Sequence, residues 1–158
     1  MLAGINCAVA LNRIAPCATA LFLDTIRAIV MISIYWPQTL GEILGFGVAG
    51  LTALLGLLAF VAPRLAFQIA RIEAKVPDAI AEGRASFGGV FLALGLGTIL
   101  LAQPLVTMVL GGVWAMTALG RMVSMVFDHA VSPYNIAATL LELALAAAAL
   151  AGPLGYIV

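Results

Sequence analysis

Charge is what this sequence has least of. Seven lysines and arginines and seven aspartates and glutamates make up 9% of its 158 residues. A soluble domain carries about 25%. So few charges cannot clothe a water-facing surface, and lipid is the expected solvent. The formal net charge is zero, which removes the electrostatic basis for a nucleic-acid partner. Histidine occurs once, at His129, so no multi-histidine metal or haem site within one chain is expected. Cysteine occurs twice, at Cys7 and Cys17. Their spacing fits neither a redox CxxC nor a zinc pattern, and they read as small apolar residues. No glycine-rich stretch follows a strand, so none reads as a phosphate loop. No cofactor is expected.

What the chain has instead is apolar length. Hydrophobic residues are 65% of it, and its mean hydropathy is +1.20. A membrane span needs about 20 apolar residues. Four stretches qualify, at residues 43–62, 85–101, 105–127 and 134–157. The fold expected is an all-α membrane protein, a four-helix transmembrane bundle over residues 41–158. A polar segment of residues 64–84 separates the first two spans. Its first half sets Leu65, Ile69 and Ile72 on one side and Arg64, Gln68, Arg71 and Lys75 on the other. That pattern predicts a short helix in the headgroup layer, broken at Pro77. Ala102, Gln103 and Pro104 make an uncharged turn between the second and third spans.

Lysine and arginine in short loops set orientation. The basic connection after the first span is therefore expected in the cytoplasm, with Gln103 outside, residues 128–133 inside and the C-terminus outside. A multi-pass membrane protein follows.

Residues 1–40 read as an N-terminal extension. Residues 14–36 are mostly apolar but carry Asp24 and Arg27. As a fifth span they would cost about 2.5–3.5 kcal/mol for each central charge, offset in part by the i,i+3 spacing. An extra membrane-associated helix contributing little to the bundle is the expectation. Met31 is a candidate start for a chain holding only the four spans. The polar pair also interrupts the apolar core that a secretory signal needs.

Small residues recur every four positions: Gly41, Gly45, Ala49 and Ala53; Ala85, Gly89, Ala93 and Gly97; Ala144, Ala148 and Gly152. In lipid, helices associate by close packing that small residues permit. These rows predict seams within the bundle; a homo-oligomer interface is the alternative.

The few intramembrane charges are spaced so that they can meet. Arg121, Ser124 and Asp128 share one helix face at i, i+3 and i+7. Glu142 lies on the next helix. Counted back from the connection, Arg121 and Glu142 are both roughly 10–12 Å deep. A lone charge there is costly and needs a partner. The expectation is an Arg121–Glu142 pair, with Arg84 and Asp128 nearer the surface and Ser124 as a hydrogen-bond bridge. The cluster is either a clamp on helix register or a pocket for a headgroup, small ligand or proton. No catalytic residue is expected: Ser124 has no histidine on its own helical face, and His129 lies at the connection. Trp36, Trp114, Tyr134 and Tyr156 are expected as interface anchors or packing residues.

At these residues the chain resembles a bacterial family of small membrane proteins known as domain of unknown function 4345. The resemblance rests on EGRASFGG at residues 82–89, GRMVSMVFD at residues 120–128, and the lone Glu142. It covers residues 43–157. Phe87 departs from the tyrosine often found there, and His129 from a common glycine. The resemblance implies a four-helix membrane domain and no assigned activity. The leading expectation is therefore a non-enzymatic membrane protein that binds membrane lipid or a small ligand, or accompanies a protein partner. The alternatives are a small transporter or channel subunit and, behind it, an enzyme of lipid or quinone chemistry using Glu142 and Asp128.

Overall fold

Proline opens nearly every helix of this protein. In the computed structural model, which describes residues 36–157, Pro63, Pro77, Pro104 and Pro133 each occupy a first helical turn. A proline there loses no hydrogen bond, because that N–H has no intrahelical partner in any case. The one long helix without it, α1 (Leu40–Val61), starts on a capping box. Thr39 Oγ1 accepts from the Glu42 N–H at 3.2 Å, and the Glu42 carboxylate accepts from the Thr39 N–H at 3.3 Å.

A short helix, α2 (Pro63–Ala70), follows at once. It stops where Arg71 turns left-handed, at φ 57°. The expected headgroup helix therefore ends at residue 70, and residues 71–76 are not helical. Helix α3 (Pro77–Gly83) runs through a π-helical segment, Arg84–Gly89, into α4 (Val90–Leu101). The second span is thus the rod Pro77–Leu101. It begins eight residues before the expected residue 85, because Pro77 starts this helix as well as ending the segment before it. Ala102, left-handed at φ 48°, makes the turn into α5 (Pro104–Phe127). Ser132 caps α6 (Pro133–Ala151) by accepting from the Asn135 N–H at 3.1 Å. The fourth span was expected to reach residue 157. It stops at Ala151, where Gly152 and Pro153 lead into a turn.

Among the described residues, four helices are long and apolar enough to cross a membrane: Leu40–Val61, Pro77–Leu101, Pro104–Phe127 and Pro133–Ala151. The chain is an all-α, multi-pass membrane protein. Leu54, Leu105 and Leu140 stand outward, each more than half exposed, as a lipid-facing surface requires.

Helix α1 packs on the Pro77–Leu101 rod along one side and on α6 along another, and α5 pairs with α6. The core joins Val48 and Ala49 of α1, Leu110 and Trp114 of α5, and Ala146 and Ala149 of α6. The expected α1 seam is present, with Gly41, Gly45, Ala49 and Ala53 all buried. The α6 row holds in part, since Ala148 packs against the core and Gly152 meets Gly41 of α1 closely; the second-span row is corrected. Ala85, Ala93 and Ala144 are exposed; Gly88 and Gly95 are buried on the second span, and Ala146 and Ala149 on α6. Gly88 and Gly95 are seven residues apart, a step that drifts only about 20° around a helix. They therefore hold one face along the helix. A Cβ on Gly95 would meet the Ala53 nitrogen at 2.5 Å, and one on Gly56 would run into the Leu92 backbone.

The expected helix over residues 14–36, with Asp24 and Arg27, lies outside the described residues, as do Cys7 and Cys17.

Candidate functional site

Three helical turns of α5 bring Trp114, Arg121 and Ser124 along one side of a cleft. Helix α1 supplies Leu55 and Ala59, α2 supplies Phe67 and Ile69, and α6 supplies Tyr134, Asn135 and Glu142. The cleft has a volume of about 580 Å³. Pockets for small organic ligands span about 300–1,000 Å³.

Its apolar wall is an aromatic series. Phe67 meets Phe87 edge to face at 6.2 Å between ring centroids, Phe87 meets Phe91 at 6.4 Å, and Phe91 meets Trp114 at 5.7 Å. The π-helical segment carries Phe87. Such insertions rotate the side chains that follow, relative to a uniform α-helix. Trp114 closes the inner end. It is buried, and its Nε1–H donates to Thr52 Oγ1 at 3.0 Å.

Arg121 and Glu142 meet in the cleft. Arg121 Nε donates to Glu142 Oε1 at 2.7 Å, with side-chain exposures of 33% and 8%. Arg121 Nη1 also reaches Asn135 Oδ1 at 3.4 Å. Asn135 is held by its own Nδ2 group, which donates to the Ala130 carbonyl at 2.7 Å. The second oxygen of Glu142, Oε2, is buried and has no hydrogen-bond partner among the described residues. A buried acceptor without a donor is costly and calls for an explanation.

The rest of the expected cluster is looser. Ser124 lines the cleft, but its hydroxyl donates to Asp128 Oδ2 at 2.7 Å, within its own helix. It bridges nothing to Arg121. Asp128 is exposed at the end of α5. Arg84 is exposed on the π-helical segment and forms no ion pair among the described residues. The longer second span accounts for this, since it places Arg84 eight residues into the rod and on an outer face.

Helix α2 lies across the mouth. The Tyr134 hydroxyl donates to the Ile69 carbonyl at 3.1 Å. The Arg71 guanidinium stands 4.7 Å from the centre of the Tyr134 ring, a cation–π distance. The ring of Phe67 fills the space where a Gly83 side chain would be. Tyr134 therefore ties α6 to the end of α2. Sequence reasoning missed Asn135. Its signal was available: Asn135 and Glu142 are seven residues apart on α6, hence on one face. Trp36 and Tyr156 are exposed.

The family match now has a structural frame. Residues 42–152 match the family described as a domain of unknown function (DUF4345). The chain belongs to this family. The match begins in the first turn of α1 and ends just past α6, so it covers every helix that lines the cleft. No curated protein and no solved structure matches the chain. His129 adopts φ 53°, in the left-handed region, where glycine carries no steric cost.

Proposed function

We propose that this member of the DUF4345 family is a non-enzymatic module of the bacterial inner membrane, a four-helix transmembrane bundle that binds one amphiphilic molecule, a membrane lipid, in the cleft. The observation that carries the reading is Glu142 Oε2, a buried acceptor with no donor among the described residues, on a side chain that lines a largely apolar cleft. A clamp on helix register explains Oε1, which holds Arg121. It leaves Oε2 unexplained, and a ligand donor supplies what is missing. Apolar walls with a few convergent polar groups are the usual composition of such sites.

The basic end of the protein, with Arg64, Arg71 and Lys75, faces the cytoplasm in this reading. The cleft then opens at the cytoplasmic headgroup layer, where α2 lies. A transport role finds less support. Beyond the core, toward Gln103, the buried hydroxyls of Thr52 and Thr98 are spent on the Val48 and Leu94 carbonyls of their own helices, so they offer no continuous polar path.

Native mass spectrometry from mild detergent tests the reading. The expected result is one lipid-sized adduct that is lost in Trp114→Ala, which opens the inner end of the cleft. A protein that stays free of adduct when lipid is added in excess would refute it.

A further inference from the structure

We infer that the head of the bound molecule is neutral and carries a hydroxyl, so that the cleft selects a single-chain neutral lipid of the monoacylglycerol class. This rests on the cleft being a binding site.

The hydrogen-bond inventory of the polar end carries the inference. Glu142 Oε2 lacks a donor. Arg121 uses one N–H on Glu142 and one on Asn135, and a guanidinium has further N–H groups to give. The ligand must therefore donate to the carboxylate and accept from the guanidinium. A hydroxyl does both through one atom. The terminal torsion of a glutamate is soft, so Oε2 can turn to meet the donor.

Charge points the same way. Arg121 and Glu142 together are neutral. A fatty-acid anion would satisfy Arg121, leave Oε2 without a donor and add a second negative charge beside it. An ammonium head would satisfy Oε2 and face Arg121 with like charge. A neutral hydroxyl leaves the site with no net charge in a low-dielectric region.

Tail position follows from helix geometry. Trp114 is seven residues deeper on α5 than Arg121, about 10 Å at 1.5 Å per residue. The wall between them is the Phe87, Phe91 and Trp114 series. The chain of the ligand therefore runs inward from the head toward Trp114.

The test uses the full chain with the exposed Trp36 replaced, Trp36→Phe, so that Trp114 is the only tryptophan. The protein is reconstituted in vesicles of phosphatidylcholine. Three probes with the same brominated hydrocarbon chain are compared: the monoacylglycerol, the free fatty acid and the alkylamine. Bromine quenches a tryptophan it touches. Saturable quenching of Trp114 by the monoacylglycerol is expected, at an apparent affinity about tenfold or more above the other two, the worth of one unmet buried hydrogen bond. Glu142→Gln puts an amide donor at the Oε2 position and leaves Arg121 with uncompensated charge, so preference should pass to the fatty acid.

Equal or tighter binding of the acid or the amine to the wild-type site would overturn the choice of head and leave the cleft reading standing. Unsaturable quenching by all three probes would overturn the cleft reading itself. Wild-type ranking decides the question even if Glu142→Gln fails to fold.

Discussion

Replacing Arg121 should harm this protein more than replacing Glu142, and replacing both should harm it less than either sum implies. The pair meets at 2.7 Å. At an effective dielectric of about 20, charges at such a distance attract by about 6 kcal/mol. Desolvation of each ion costs several kcal/mol, so the net worth of the intact pair is small. A broken pair is another matter. Arg121→Met strands the Glu142 carboxylate, whose side chain is only 8% exposed, and leaves both of its oxygens without a donor. The expected cost is about 3–5 kcal/mol. Glu142→Leu strands Arg121, but that side chain is 33% exposed and retains Asn135. It can turn toward the mouth of the cleft, and the expected cost falls to about 1–3 kcal/mol. The double variant has no stranded charge and should lie near the wild type. Thermal unfolding in mild detergent, followed by circular dichroism, measures all four proteins. Single effects that simply add in the double variant would show that Arg121 and Glu142 are not coupled, because independent residues add and coupled ones do not. Equal single effects would refute the asymmetry drawn from exposure.

Gly56→Val should destabilise the packing of α1 on α4, since any Cβ there meets the Leu92 backbone; a melting temperature within a degree of the wild type would contradict it, with the solvent-open Gly47→Val as control. Orientation is read with single cysteines at Lys75 and Gln103 after Cys7 and Cys17 are replaced. An impermeant thiol reagent on whole cells should label Gln103 and spare Lys75, and the opposite labelling would invert the threading.

The sequence alone determined where the spans lie to within a few residues at most ends. The reason is that lipid demands about 20 apolar residues in a row, and among the described residues these four stretches supply them. It also determined the Arg121–Glu142 partnership. Two opposite charges at equal depth on consecutive antiparallel helices have few other ways to avoid hydrocarbon. Tertiary structure decided the rest. Pro77 reads equally as the end of one helix or the start of another, and only packing on α1 shows that α3, the π-helical segment and α4 are one rod. That rod carries Arg84 away from the cluster its sequence position implied. The seam of the second span runs through Gly88 and Gly95 because those two let the backbones of Phe60 and Ala53 approach, a contact no local pattern encodes. The cleft is a property of no single segment. Its walls come from helices as far apart in sequence as Leu55 and Glu142, and which Glu142 oxygen is left without a donor is decided only by how those helices meet.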